Sequence, residues 1–405
     1  MDMVERFLNY ISIDTTSTAK SSTNPSSNGQ LIFAKTLMDE LNKYDIETKL
    51  KDGCVYAKIK SNIDQRCPAM GLIAHMDTSS DFNGSHIMPR IIKNYDGSTI
   101  RLNDKMTLNP EEFTSLKEFT GHEIIVTDGN SLLGADDKSG ITIIMEIIDR
   151  LMNDDSIEHG DISICFTPDE EIGRGSDYFD VDYFDADFAY TIDGGMINEV
   201  SYETFNAYKA KVKITGQTIH PGSAKHKMIN AIAVFTEFNS LLPVFDKPEY
   251  TEKYEGFNHV YEIKGTNAAL EAEYMLRNHS DELICKQISD FKLAQEFINR
   301  KYNRDLVHIS FELQYKNMAE ILKDRMEIVD YACKAIEHNG MKVKFKAVRG
   351  GTDGARLTFR GLPCPNLGKG SINPHGPYEC LSVDQMKTMV QVVLDIIHNV
   401  TEDRQ

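Results

Sequence analysis

The sequence has no unbroken apolar stretch approaching the roughly 18 residues that a bilayer-spanning helix requires, so no membrane partner is expected. Positive charge is scarce as well: 44 Lys and Arg face 62 Asp and Glu, giving a formal net charge of −18. Nucleic acids and anionic membrane surfaces are bound by clustered Lys and Arg that release counterions, and that class of partner is therefore not expected. The opening residues, MDMVERFLNYISIDTT, lack the basic start, continuous apolar centre and small-residue cleavage site of a secretory signal. Cysteine pairs are missing too, since Cys54, Cys67, Cys165, Cys285, Cys333, Cys364 and Cys380 are scattered, odd in number and form no C-x-x-C. They read as reduced thiols in a cytoplasmic protein. Two hydrolase signatures are also absent: there is no G-x-S-x-G, and His122-Glu123 has no second His to complete H-E-x-x-H.

What is present is an ordinary globular composition, 41% hydrophobic and 26% charged over 405 residues. That length exceeds what one hydrophobic core usually organises, so two domains, or one domain with a large insert, are expected. The stretch from Pro25 to Tyr44 places Ser27 and Gln30 at capping-box spacing ahead of apolar residues at helical intervals. Met70 to Ala74 is a short continuous apolar run of the kind a doubly covered strand shows, and it ends at His75 and Asp77. From Leu132 the pattern turns helical, with Ile141, Ile144, Met145, Ile148, Leu151 and Met152 on one face and Asp136 just before the start. Two further apolar strands run into acids, one at Glu170-Glu171 and one at Asp193.

This alternation predicts an α/β fold, a central mixed sheet flanked by helices. From about Tyr208 the texture changes to a β-α-β-β-α-β order, with a helix over 224–242 and strand-like segments up to Tyr315, describing a ferredoxin-like insert. The expected organisation is 1–207 and 317–405 as one catalytic domain interrupted by an inserted domain at 208–316. Within 317–405, VKFKAV reads as a strand, the segment from Arg349 as a turn into a helix, and the last helix starts at Ser382 with Gln385 at its first turn.

Ligands for a catalytic metal in such a fold are expected where strand ends converge on one crevice. Singly, each cluster here has an ordinary reading: His75-x-Asp77 as a structural pair, and Glu170-Glu171 or Asp136-Asp137 as helix-start acids favoured by the helix dipole. Together they would crowd negative charge at one edge unless cations neutralised it. Two divalent ions would bring four positive charges against three from Asp136, Glu171 and Asp193, a hydroxide would complete neutrality, and neutral His side chains would fill the coordination. Mixed nitrogen and oxygen ligation suits zinc, with cobalt or manganese as substitutes.

Taken in order, H-M-D at 75–77, G-A-D-D-K-S-G at 134–140, P-D-E-E-I-G at 168–173, T-I-D-G-G at 191–195, H-P-G-S-A-K at 220–225, R-G-G-T-D-G-A at 349–355 and P-C-P-N-L-G ahead of His375-Gly376 form a recognisable series. It resembles the two-zinc metallopeptidase family that contains carboxypeptidase G and acetylornithine deacetylase, in its tripeptide aminopeptidase (peptidase T) branch. The likeness begins at Arg6-Phe7-Leu8-Asn9-Tyr10 and runs almost to the C-terminus.

The resemblance implies two zinc ions per subunit, with Asp136 rather than Asp137 bridging them, His75 and Asp193 on one ion and Glu171 and His375 on the other. It implies a cis Asp136-Asp137 peptide, Asp77 as the hydrogen-bond partner that orients His75, and Glu170 as general base for the attacking water. It assigns His220 of the insert to the active site of the partner subunit in a homodimer, where it would meet the developing oxyanion. The substrate implied is a tripeptide, its carboxylate met by Arg277, with Arg349 as a second candidate, since Arg binds carboxylates bidentately. After His375 the chain reads G-P-Y-E, where the family often has a basic residue at the position of Pro377. A dipeptidase or N-acyl amino acid deacylase of the same family is the competing reading, and a binding protein that has kept the fold is the remote one.

Overall fold

A computed structural model describes residues 1–403. The chain forms two compact units: Met1–Tyr202, Ile321–Lys346 and the chain from Thr352 onward make one, while Glu203–Glu320 and Ala347–Gly351 make the other.

The first unit is organised by a mixed eight-stranded sheet, whose strands lie in the order Glu47–Lys51, Cys54–Ile59, Ile162–Thr167, Met70–His75, Phe188–Gly194, Asn366–Gly368, Glu199–Ser201 and Lys344–Phe345. The four strands from Ile162–Thr167 to Asn366–Gly368 in that order are mutually parallel, so their carboxyl ends share one edge. Met70–His75 and Ile162–Thr167 are buried at every position, as the apolar runs led us to expect of strands covered on both faces.

Helix Ala135–Asn153 packs on Met70–His75, Phe188–Gly194, the N-terminal helix Met3–Ile11 and the C-terminal helix Val383–Glu402. Because it is covered from several sides, Ile143 and Ile147 are buried along with the predicted Ile141, Ile144, Met145, Ile148 and Leu151, whereas the predicted Met152 faces solvent at the last turn. The C-terminal helix begins as read, with Ser382 accepting the amide of Gln385 at 3.2 Å. The segment expected as strand VKFKAV forms a strand only over Lys344–Phe345, at the sheet edge, with an isolated parallel bridge from Val348 to Thr204 beyond it, and Lys344 and Lys346 are tied to buried Glu199 at 2.9 and 2.7 Å.

A smaller sheet in the same unit joins Ser371–Ile372, Cys380–Ser382, Ile124–Val126 and Arg90–Ile92. Its first two strands pair antiparallel and hold His375 in the loop between them. All seven cysteines are free thiols.

The second unit follows the predicted β-α-β-β-α-β order: Asn206–Thr215, Ala231–Ser240, Phe257–Gly265, Ala269–Asn278, Asp281–Tyr302 and Val307–Tyr315. Its strands form one antiparallel sheet in the order Phe257–Gly265, Ala269–Asn278, Asn206–Thr215, Val307–Tyr315. Val212, Ile214 and Tyr274 from the sheet share a core with Val234, Phe238, Phe291 and Ile298 from the helices. The first helix is shorter than the expected 224–242. It starts only after Asn230, whose side chain caps the amide of Ile232 at 2.9 Å, while Ile229 bridges to Gln217 and the residues before it close a turn in which the amides of Lys227 and Met228 donate to the Ala224 carbonyl.

Candidate metal centre

The shared edge of the parallel strands gathers His75, Asp193 and the loop after Thr167. Asp136 arrives from the start of the long helix, where Asp136 and Asp137 depart from helical geometry and are joined by a cis peptide. His375 comes from its hairpin loop with φ +65°, a conformation uncommon outside glycine.

These side chains converge. The two oxygens of the Asp136 carboxylate point at different histidines: Oδ1 lies 3.2 Å from His75 Nε2 and Oδ2 lies 3.4 Å from His375 Nε2. Asp193 Oδ1 is 3.6 Å from His75 Nε2, and Glu171 Oε2 is 2.9 Å from His375 Nε2. His75, Asp136 and Glu171 offer one ligand atom each within 4.8 Å of one another, and so do His75, Asp137 and Asp193. Asp137 is fully buried, and its Oδ2 accepts the backbone amide of His75 at 3.2 Å.

Charge in this edge is not at rest. Burial pushes the carboxyls of Glu170 and Asp137 well above the usual range and that of Glu171 upward, with neighbouring acids adding to the effect. Asp136 is held well below the usual range, because Lys369 and the two histidines outweigh its burial. Hydrogen bonds to Asp136 and Glu171 raise His375 to about 11, and Asp193 and Asp136 raise His75 against its own burial. Among the described residues, Glu171 Oε1 is buried with no hydrogen-bond partner. A buried carboxylate oxygen left unpaired beside a histidine is a donor set that fits a divalent ion.

Several residues hold this arrangement. Asp77 is fully buried, and its carboxylate accepts the amides of Glu170 and Glu171 at 2.9 and 3.1 Å. His75 Nδ1 meets the Asp77 backbone carbonyl at 3.0 Å, closer than the carboxylate at 3.4 Å, so the orienting contact expected from the Asp77 side chain is shared with its main chain. Glu379 accepts the amides of Leu133, Gly134 and Asp136 at 2.7, 2.8 and 2.9 Å and fixes the turn that delivers Asp136. Burial and the nearby Asp136 raise its carboxyl to about 7. Asp169, at φ +56°, accepts the Ser26 amide at 2.8 Å and Gln30 Nε2 at 2.8 Å, and its own amide donates to Gln30 Oε1 at 3.1 Å. Gln30 therefore anchors the loop that carries Glu170, and the capping box expected at Ser27 does not form: the Ser27 side chain caps no amide and only accepts from Gln30 Nε2 at 3.2 Å.

The sequence does not single out Glu379, Asp169 or Lys369, and it offers Gln30 only as a capping residue. Lys369 is 2% exposed and follows strand Asn366–Gly368 directly, at the same edge as Asp193. Its signal was the one used for the acids, a charged residue at the end of an apolar strand, but read only for negative charge.

The remaining predicted residues lie in the second unit. His220 is exposed and caps the short turn Pro221–Ser223, its Nδ1 accepting the amide of Gly222 at 3.2 Å, which leaves the ring proton on Nε2. Arg277 is buried and donates to the carbonyls of Tyr208 and Leu276 at 3.2 and 3.0 Å and to Gln314 at 2.9 Å. Arg349 donates to the carbonyls of Lys253 and Glu255 and to Thr251 Oγ1 at 3.0, 2.6 and 2.9 Å, and its guanidinium lies over the rings of Phe205 and Phe257. These contacts make Arg349 the fastening of the 251–255 segment, a role the sequence did not suggest.

Residues 118–399 match the family model described as peptidase family M20/M25/M40. A curated relative named Peptidase T, from Clostridium perfringens strain SM101, is 47% identical over 395 residues, covering 97% of this chain and 97% of the relative. Among solved structures, a tripeptidase from Staphylococcus aureus mu50 superposes with a TM-score of 0.78 at 22% identity, covering 99% of this chain and 98% of that one. A Bacillus subtilis protein described as a dinuclear metal binding peptidase of the M20 family gives 0.65 at 13% identity, covering 99% and 97%. At those identities the two structures bear on the fold alone.

Proposed function

This chain belongs to peptidase family M20/M25/M40, alongside its Peptidase T members, and from that premise we propose that it is a metal-dependent aminopeptidase releasing the N-terminal residue of tripeptides. The observation that carries the reading is the divided Asp136 carboxylate, one oxygen toward His75 and the other toward His375, beside a Glu171 oxygen with no hydrogen-bond partner among the described residues. The relative named Peptidase T, 47% identical over 97% of this chain, supports it.

His75, Asp136, Glu171, Asp193 and His375 are the proposed ligands, and zinc suits their nitrogen and oxygen donors. Such ions, when bound, polarise the scissile carbonyl and acidify a water. Glu170 takes the proton from the attacking water and returns it to the departing amine. Its backbone amide is pinned by Asp77 and its loop by Gln30, so the carboxylate is held ready without reorganisation. We assign the substrate carboxylate to Arg277 and the developing oxyanion to His220 of the partner subunit in a homodimer. The cytoplasm is the proposed compartment.

The test is metal analysis together with hydrolysis of a free tripeptide by the wild type, Glu170→Ala and Asp136→Ala. Glu170→Ala is expected to keep its metal and lose activity, and Asp136→Ala to lose metal. An active Glu170→Ala protein removes the assigned base, and cleavage of N-acyl amino acids with none of free tripeptides moves the assignment to a deacylase.

A further inference from the structure

The geometry points to a resident cation in this site, and we propose that the ammonium of Lys369 occupies the position of one metal ion, so that the chain retains a single divalent ion tightly. This rests on the reading of the edge as a metal centre. Lys369 Nζ lies 2.7 Å from Asp136 Oδ1, 2.7 Å from Asp193 Oδ1 and 3.0 Å from the Asp193 carbonyl. An ammonium has three hydrogens, and these three acceptors use them all. Asp136 Oδ1 and Asp193 Oδ1 are also the oxygens that face His75 Nε2. The nitrogen thus stands among three of the five proposed ligands, on the His75 side of the Asp136 carboxylate.

Lys369 is there by construction. Its amide donates to the carbonyls of Gly194 and Gly195 at 3.3 and 3.1 Å, tying it to the chain directly after Asp193. Gly368 and Gly370 flank it: a Cβ at Gly368 would stand 2.0 Å from the Met196 carbonyl, and Gly370 sits at φ +84°. A close backbone approach on one side and a left-handed turn on the other fix where the side chain starts. At 2% exposure, the ammonium has no other route to solvation.

Charge bookkeeping favours the same occupancy. Asp136, Glu171 and Asp193 carry three negative charges when ionised, and one divalent ion with one ammonium carries three positive. A second ion would bring the total to five unless Lys369 left, and a buried ammonium does not leave without desolvated carboxylates losing a partner. The other position, formed by Asp136 Oδ2, Glu171 and His375, holds no lysine and has the unpaired Glu171 Oε1, so it is where the tight ion belongs.

The experiment is a zinc titration of metal-free wild type and Lys369→Met against a chromophoric chelator, with elemental analysis after gel filtration. The wild type is expected to retain one zinc per chain, a second binding at least about 100-fold more weakly, the scale on which partners of metal ligands act. Lys369→Met, which keeps the length and removes the charge, is expected to retain two. Should the variant not fold, the two wild-type steps decide the matter. Two zinc ions bound by the wild type with equal affinity would overturn the proposal while leaving the metal-centre reading intact. No zinc bound by either folded protein would remove that reading, and the inference with it.

Discussion

Asp77 grips the residue proposed as the base without touching its side chain: one oxygen of the Asp77 carboxylate accepts the backbone amide of Glu170 at 2.9 Å, and the other takes that of Glu171 at 3.1 Å. Base and ligand are therefore placed by the same buried anion. Asp77→Asn has one accepting oxygen where two are needed, so one amide loses its partner. The expected result is a 10- to 100-fold fall in kcat, on the scale of partners that orient metal ligands. Steady-state kinetics beside zinc content measure it, and an unchanged kcat would show that the two amides hold their places without this carboxylate.

Glu379 does for Asp136 what Asp77 does for Glu170. In Glu379→Gln, the three amides at 133, 134 and 136 lose a charged acceptor that serves them all. Destabilisation of about 1–3 kcal/mol is expected from hydrogen bonds to a charged group. Zinc affinity should weaken with it, because the turn no longer presents Asp136 in one orientation. Urea unfolding of the metal-free proteins and chelator competition separate the two effects.

Gln30→Leu tests the anchor of the Glu170 loop. The side chain both donates to Asp169 and accepts from its amide, and all these atoms are buried. Leaving them unpaired costs about 1–3 kcal/mol. The accompanying drop in kcat with little change in KM distinguishes a loosened base from a loosened fold.

Gly140 lies where the long helix crosses strand Phe188–Gly194, and a Cβ there would stand 2.1 Å from the Ile192 carbonyl. Gly140→Ala gains about 1 kcal/mol of helix propensity in isolation. In this chain the clash reverses the sign, since overpacking typically costs 1–3 kcal/mol. The thermal midpoint should fall, and Asp193, one residue beyond Ile192, should bind metal less well.

In the second unit, hydrogen bonds from Lys209 and Tyr261 lower the Glu273 carboxyl to about 2. A depressed acid contributes stability that is fully present above its unfolded value of 4.5 and is lost as pH falls toward 2. For a partly exposed pair the contribution stays below about 1 kcal/mol. Comparing urea unfolding of wild type and Glu273→Gln at pH 6 and pH 3 should therefore show a difference at the higher pH that shrinks at the lower (both values lie within about 2 units of 4.5).

The parts of this molecule legible in the sequence are those whose signal is local. Met70 to Ala74 announces a covered strand by its run of apolar residues, and the change of texture from about Tyr208 announces the β-α-β-β-α-β order of the insert. The acids at strand ends were visible because charge against an apolar run is conspicuous. Gln30 and Glu379 were not, because each acts on a residue more than 130 positions away and nothing in its neighbourhood marks that role, while Lys369 stands at a strand end that was read only for negative charge. Gln30 even carried a false local meaning, since its spacing from Ser27 suits a cap. The extent of the first helix in the second unit was misjudged for a related reason: the apolar spacing continues upstream of Asn230, but the pairing of Ile229 with Gln217 claims those residues first.

The strand Asn366–Gly368 lies between Phe188–Gly194 and Glu199–Ser201, two strands close together in sequence and made long before it. During synthesis the N-terminal half therefore emerges with a gap in its sheet, holding His75, Asp136, Glu171 and Asp193 but neither Lys369, Glu379 nor His375. Domains tend to fold as they leave the ribosome, yet this one has to wait for its last fifth to close the gap. Until then the acids lack the ammonium of Lys369 and have one histidine too few, so a truncated or nascent polypeptide holds an unfinished site. Completion of the chain is thereby built in as a condition for the proposed peptidase activity.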